Sequence, residues 1–257
     1  MTTTDLRGRT VAVTGGLGDI GSAICRRAAA SGATVHVLDI RPPDEAAQAL
    51  ETLRGLSGAD AGYHQVDVRD LAAVEEVFTG LPRLDAVVGN AGVGIMAHFL
   101  DMTEQIWHEQ IDINLTGCFN TGLAAARRMR GHGGSIVFIS SWIGTVPWPG
   151  MTAYCASKGG LDMLAKTMAR DLAAHRIRVN VVAPGIVEAG PSLRIMRENA
   201  DYLAATRRVI PMGRLQSTDE VAAAVSFLLS ADAGYATGSV LTVDGGCSLF
   251  KFEEDKA

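Results

Sequence analysis

Short runs of β-branched and apolar residues alternate along the chain with longer Ala- and Leu-rich segments whose apolar positions recur at helical spacing. The runs at 10–14, 34–38, 62–66, 86–88, 135–139, 178–182 and 239–243 predict strands. The segments at 20–31, 43–56, 71–78, 103–130, 153–175 and 219–229 predict helices. Strand and helix in strict alternation are the pattern of parallel strands joined by crossover helices, an α/β architecture. No repeat, low-complexity tract or linker divides the pattern, so residues 1–257 are read as a single domain. The one long stretch that fits neither period, about 186–214, is rich in Arg and carries Pro191 and Pro211; it is read as a lid over a substrate pocket.

Composition narrows the function classes. With 257 residues, 47% of them hydrophobic, the chain can bury a substantial core. A net charge of −5, with Lys and Arg scattered among acids, argues against nucleic acid as a partner, which needs a concentrated basic surface. Cys25, Cys118, Cys155 and Cys247 are far apart and show no C-x-x-C spacing, which fits reduced thiols in a cytosol better than a disulfide framework. The amino-terminal residues carry no apolar signal-like stretch, and no run is long enough to span a bilayer. A soluble cytoplasmic protein without membrane contact is expected. The histidines show no metal-ligand spacing, and no metal site is expected.

The first predicted strand runs into Thr14-Gly15-Gly16-Leu17-Gly18-Asp19-Ile20-Gly21 and then directly into a helix. Missing Cβ atoms in such a turn let the backbone approach a pyrophosphate, and the free N–H groups of the helix start bind it. The second predicted strand ends in Asp39, followed by Ile40 and Arg41. A carboxylate there accepts the adenosine ribose hydroxyls of NAD, whereas the 2′-phosphate of NADP meets a like charge, a repulsion of roughly 4 kcal/mol at 4 Å and an effective dielectric of 20. NAD is therefore the expected cofactor, with NADP disfavoured. Arg41 has two uses, to pair with a 2′-phosphate or to neutralise Asp39.

Tyr154 and Lys158 are four residues apart at the start of a predicted helix, so their side chains share one face. A phenol with a pKa of roughly 10 is a poor base near neutrality, and a neighbouring ammonium favours its ionised form. Ser141, at the end of the fifth predicted strand, adds a hydroxyl suited to a substrate oxygen. Together these groups suit moving a proton on and off an alcohol.

Over nearly its whole length the chain resembles the short-chain dehydrogenase/reductase family. Beyond the glycine turn and Tyr154/Lys158, the resemblance rests on Asp67-Val68, Asn90-Ala91-Gly92, Asn114, Ser141, Pro184-Gly185 and the closing Val243-Asp244-Gly245-Gly246. It implies a Rossmann-like doubly wound parallel sheet of about seven strands, with helices on both faces and the cofactor along the carboxyl ends of the strands. It implies that Tyr154 exchanges the proton with the substrate oxygen, that Lys158 assists it and binds the nicotinamide ribose, and that Ser141 hydrogen-bonds the substrate oxygen. Asn114 would hold a water linking Lys158 to solvent. The cofactor would lie against Gly15, Gly18, Asp19, Ile20, Gly21, Asp39, Ile40, Asp67, Val68, Asn90, Ala91, Gly92, Tyr154, Lys158, Pro184, Gly185 and Val187.

Three positions depart from the family pattern. Asp19 stands where the turn usually has its central glycine, and its side chain is expected to turn outward or to cap the helix. Gly89 replaces the first of two asparagines. Ala189 occupies the place of a threonine, with Ser192 as a substitute. Trp142, Ile143, Trp148 and Met151, with Val93, Gly94, Met96 and the lid, are expected to border a pocket for an apolar or ring-bearing alcohol. Arg194, Arg197, Arg207 and Arg208 in the lid read either as a solvated face or as holders of an anionic substrate. The expected activity is NAD(H)-dependent interconversion of a secondary alcohol (a sugar, polyol or cyclic alcohol) and its ketone. The alternatives are an NADPH-dependent 3-oxoacyl thioester reductase and, from another class, a catalytically silent dinucleotide-binding protein. Apolar positions Leu161, Leu164, Ala165, Met168 and Leu172 suggest a face needing cover, and the resemblance implies a homotetramer.

Overall fold

A computed structural model describes residues 4–190 and 200–249. Among them, seven parallel strands form one sheet: β1 (Thr10–Thr14), β2 (Thr34–Asp39), β3 (Ala61–Gln65), β4 (Ala86–Gly89), β5 (Gly134–Ile139), β6 (Ile177–Pro184) and β7 (Val240–Val243). Their order is β3-β2-β1-β4-β5-β6-β7, so the winding reverses between β1 and β4. A crevice opens at the carboxyl ends of the strands at such a reversal, and that is where open α/β sheets bind ligands. The register sets Val13 beside both Val37 and Val88, which brings the ends of β1, β2 and β4 level at that crevice.

Alternate strand residues serve the two faces. Val11 and Val13 point to one core with Ala23 and Ile24 of α1 (Asp19–Ala30) and Leu53 of α2 (Ala47–Ser57). Ala12 points to the other, with Val74 and Phe78 of α3 (Leu71–Gly80). Each fully buried Val, Leu, Ile or Phe contributes about 1.5–3 kcal/mol, so a sheet apolar on both faces needs helices on both. The expected doubly wound architecture is the one observed.

The predicted helix at 103–130 is one rod in three parts: α4 (Glu104–Ile111), a π-helical turn (Asp112–Thr116) and α5 (Gly117–Met129). Thr103 caps it by accepting from the Ile106 N–H at 3.2 Å. The predicted helix at 43–56 begins as a 3₁₀ turn, Pro43–Ala46, before α2. The one at 153–175 is α6 (Thr152–Leu172) followed by a 3₁₀ turn, Ala173–His175. Two further helices follow, α7 (Ala200–Val209) and α8 (Thr218–Leu229). The second starts on a capping box in which Ser217 and Glu220 satisfy each other's backbone N–H groups.

The segment read as a lid contains α7, which the strand-and-helix reading did not assign. Its two ends are tied together by a parallel bridge between Val187 and Gln216, with Glu188 N–H donating to the Gln216 carbonyl at 2.8 Å. Pro191, Ser192, Arg194 and Arg197 lie outside the described residues, as does the chain from Phe250. The α6 stripe turns out to face the sheet. Leu161 and Ala165 are buried in the core and Leu164, Met168 and Leu172 pack against it, while the exposed apolar side chains nearby are Trp107, Phe119 and Met163.

All four cysteines are free. Burial pushes the Cys25 thiol up to about 12 and that of Cys118 up to about 11, so both stay protonated at neutral pH. Among the described residues, no helix is long and apolar enough to cross a membrane.

Candidate active site

At the carboxyl ends of the strands lies a cavity of about 820 Å³. Of the residues the sequence put forward, the glycine turn, Asp39, Ile40, Asp67, Val68, Asn90, Ala91, Gly92, Ser141, Tyr154, Lys158, Pro184, Gly185 and Val187 all line it. Asn114 does not. It is wholly buried behind the wall, where its carboxamide accepts from Val93 N–H at 2.8 Å and donates to the Val93 carbonyl at 2.8 Å and to Ser157 Oγ at 3.2 Å. The π-helical turn is what aims it there, because the extra residue rotates the following helix and frees a side chain to bind the wall.

The glycine turn is fixed from both sides. Asn90 Nδ2 donates to the carbonyls of Thr14 and Gly15, both at 3.0 Å, while Thr14 Oγ1 accepts from the N–H groups of Asn90 and Ala91. A Cβ on Gly21 would stand 2.1 Å from the Gly15 carbonyl oxygen, so no other residue lets α1 begin this close to the turn. The first N–H groups of α1 have no partner within the helix and open toward the cavity. A close-approach turn, open donors and an acid at the end of β2 fit a dinucleotide.

Asp39 is buried, with Oδ2 accepting from Leu17 N–H at 3.0 Å and Oδ1 from Arg41 N–H at 3.2 Å. The Arg41 guanidinium lies 3.5 Å from Oδ1 and 3.6 Å from Glu45, so of its two anticipated uses it serves here to neutralise Asp39. Asp67 is likewise paired, 2.5 Å from Arg69, which holds its carboxyl below the ordinary value. Of the two alternatives for Asp19, capping is not seen, and its exposed side chain reaches to Gly190 instead. The N-cap is Gly18 with no side-chain bond, and Asp19 Oδ2 accepts from the Gly190 N–H at 2.7 Å, joining the first turn of α1 to the start of the lid segment.

Across the crevice, β5 and α6 place the remaining groups. Lys158 is buried, with Nζ donating to the Ile139 carbonyl at 2.8 Å and lying 5.4 Å from the centre of the Tyr154 ring. Ser140 Oγ donates to the Lys158 carbonyl at 3.3 Å and so belongs to the scaffold, whereas Ser141 is the strand-end hydroxyl that caps the 3₁₀ turn Trp142–Gly144. Trp142 meets Trp148 edge to face at 5.2 Å, and with Met96, Ile143 and Met151 they form the apolar side of the cavity. Ala97 bridges Met151, closing that side. Gly89 is explained by packing: a Cβ there would stand 2.6 Å from the Phe138 ring, so the asparagine common at this place has no room. From the lid segment, Thr206 of α7 reaches the cavity, and Arg207 and Arg208 are not among its lining residues.

Sequence reasoning missed Asp162, which sits on α6 one turn past Lys158. Buried against the Trp142–Gly144 turn, it has no hydrogen-bond partner for either carboxylate oxygen. Burial pushes its carboxyl above the ordinary value, against the opposing pull of Ser140, Lys166 and Lys158. A carboxyl raised in the folded state costs stability while it is charged, and that cost is relieved as pH falls through the folded value toward the unfolded one, near roughly 4. Asp162→Asn is therefore expected to be more stable than the wild type above that window, by about 1–3 kcal/mol. The advantage should shrink on acidification, and urea unfolding of both proteins between pH 8 and 4 reads it; a gap independent of pH would refute the account.

The family model described as enoyl-(acyl carrier protein) reductase matches residues 16–248. The chain belongs to the short-chain dehydrogenase/reductase family. As an oxidoreductase of that family it works with a nicotinamide dinucleotide. It is 37% identical over 258 residues to 3beta-hydroxysteroid dehydrogenase 1 of Eggerthella lenta, covering 96% of each chain. It is 38% identical to 3-oxoacyl-[acyl-carrier-protein] reductase FabG of Thermotoga maritima, over 94% of this chain and 98% of that one. Among solved structures it is similar, with a TM-score of 0.88 and 33% identity, to a candidate 2-deoxy-d-gluconate 3-dehydrogenase of Agrobacterium tumefaciens with bound NADP; the match covers 96% of this chain and 99% of that one.

Proposed function

We propose that this chain is an NAD(H)-dependent oxidoreductase that interconverts a secondary alcohol, of the sugar, polyol or cyclic class, and the corresponding ketone. The observation that carries the reading is the meeting, in one cavity, of Ser141, Tyr154 and Lys158 with the glycine turn and Asp39. When bound, the nicotinamide ring supplies the carbon that accepts or donates the hydride. Tyr154 removes the hydroxyl proton in oxidation and returns it in reduction. The buried Lys158 ammonium, beside the phenol ring, attracts the negative charge that develops on its oxygen. Ser141 donates a hydrogen bond to the substrate oxygen, where charge grows as the C–H bond breaks. Asn114, its carboxamide fixed on Val93 and Ser157, seats a water between Lys158 and solvent. The cavity's tryptophan and methionine side favours an apolar ring, and Ile186, Val187 and Thr206 line it from the segment read as a lid.

Asp39 supports NAD over NADP through its charge and its place at the end of β2. The second reading, an NADPH-dependent 3-oxoacyl thioester reductase, draws equal support from the relatives, because the Thermotoga maritima reductase is as similar as the hydroxysteroid dehydrogenase. Arg41 would then leave Asp39 for the 2′-phosphate. The exposed Trp107, Phe119 and Met163 support a homotetramer.

A panel separates the readings. Cyclic alcohols, hydroxysteroids, polyols and sugars are offered with NAD and NADP, and 3-oxoacyl thioesters with NADH and NADPH, while nicotinamide absorbance is followed. The expected result is turnover of a ring-bearing secondary alcohol with NAD at a kcat/KM at least tenfold above that with NADP. Efficient reduction of the thioester with NADPH alone would replace the first reading by the second.

A further inference from the structure

A second cavity, of about 560 Å³, lies at the opposite end of the strands from the first. Its walls come from residues at or just before the amino ends of the strands, Arg9 at β1, Arg83 and Asp85 at β4, His132 at β5 and Arg178 at β6, and from Ser230 past α8. Three guanidinium groups and one carboxylate thus face one space in a chain whose net charge is −5. The carboxylate is already engaged, since Asp85 takes Arg83 Nε at 2.5 Å and the Thr10 N–H at 2.9 Å.

Among the described residues, neither Arg9 nor Arg178 forms an ion pair; Asp5, the acid whose charge Arg9 feels, is itself paired with Arg7 at 2.7 Å. Each guanidinium carries five N–H donors. Arg9 spends one on the Leu229 carbonyl at 3.2 Å, and Arg178 spends two, on Ala236 at 3.3 Å and Ser230 at 3.2 Å. The Leu229 and Ser230 contacts cap the carbonyl end of α8, and the Ala236 contact holds the loop that follows it, structural duties that leave most of the donors free. They leave two positive charges side by side, partly desolvated, with donors unspent. Burial first, and Arg9 second, oppose the charge on Arg178 and push it below its ordinary value. His132 lines the same space, its Nε2 donating to the Leu84 carbonyl at 2.9 Å.

We propose that this cavity is a binding site for a phosphate group, held between Arg9 and Arg178 and separate from the cavity that takes the dinucleotide. Two guanidinium groups outside any ion pair match a phosphate, which carries about −1.5 to −2 at pH 7, and planar guanidinium forks match its oxygens in pairs. The volume exceeds that of the phosphate alone, so a small phosphate monoester fits with its carrier group toward the open side.

The test is isothermal titration calorimetry at constant ionic strength, with inorganic phosphate and with glycerol 2-phosphate, on the wild type, Arg9→Gln and Arg178→Gln. Saturable binding to the wild type, weakened about tenfold or more in either variant, is the expected result. Tighter binding of the monoester assigns the site to an esterified ligand, and equal binding assigns it to the free anion; both uphold the proposal. Arg9→Gln keeps the test decisive if Arg178→Gln fails to fold, because Arg9 makes one backbone contact where Arg178 makes two. No saturable binding to the wild type, or binding that persists unweakened in the variants and so belongs to the first turn of α1, overturns it.

Discussion

Replacing Tyr154 by Phe is expected to lower kcat by a factor of about 10²–10⁴ while leaving dinucleotide affinity within a few-fold of the wild type. The substitution removes one oxygen and nothing that supports the fold. The Tyr154 ring stays packed against the cluster that contains Trp142 and Ile143, and the backbone of α6 that presents it is unchanged. Ser141 and Lys158 remain, so the residual rate measures what an oxygen-binding hydroxyl and an ammonium achieve without a proton acceptor. Stopped-flow turnover and fluorescence titration with the dinucleotide separate the two effects. If the variant kept more than a tenth of the wild-type kcat, Tyr154 would not be the proton carrier. If both proteins bound the dinucleotide and both were inert toward every alcohol and ketone, the chain would be a silent dinucleotide-binding protein.

The architecture was legible in the sequence because both faces of the sheet are buried. Strands such as Val11-Ala12-Val13 and Ile136-Val137-Phe138 are apolar at every position, and the flanking helices repeat at their own period. The strand ends were legible to within a residue or two, and Gly15, Gly58 and Gly133 sit at turns with positive φ. The site residues were legible for a different reason. Tyr154 and Lys158 are one helical turn apart, and the glycine turn is contiguous, so local geometry fixes both.

What could not be read depends on partners distant in sequence. The π-helical turn at Asp112–Thr116 exists because Asn114 reaches Val93 and Ser157, neither of which its own segment announces. Asp19 looks from sequence like a residue of the helix start, and only the approach of Gly190 shows that it ties α1 to the lid segment. Gly89 looks like a lost polar group until the Phe138 ring is seen against it. Asp162 lies among helix residues whose exposure the pattern leaves open, and its isolation follows from the packing of the Trp142–Gly144 turn upon α6. Helix α7 was hidden by its own polarity, with Arg207 and Arg208 exposed and Thr206 alone of these three turned into the cavity.

Cofactor choice should change most at Asp39. Its carboxylate is both a scaffold acceptor, through Leu17 N–H, and a fixed negative charge at the end of β2. Asp39→Ala removes both, so NAD affinity is expected to fall along with discrimination, because the turn loses a bond that holds Leu17. Asp39→Asn keeps an acceptor for that N–H and removes only the charge. Removing a repulsion of roughly 4 kcal/mol is worth up to about a thousandfold in the ratio of NADP to NAD efficiency, and screening by solvent and salt in the cavity reduces this toward tenfold. The gain does not stop at lost repulsion. Arg41, now held 3.5 Å from Asp39 and 3.6 Å from Glu45, is released on one side and can turn to a 2′-phosphate. Asp39→Asn should thus shift the kcat/KM ratio toward NADP more strongly at low ionic strength than at high, and adding Arg41→Gln should reverse most of the shift. A ratio within threefold of the wild type in Asp39→Asn, at both salt concentrations, would remove the electrostatic account of cofactor choice and leave the NADP-bound relative as the better guide.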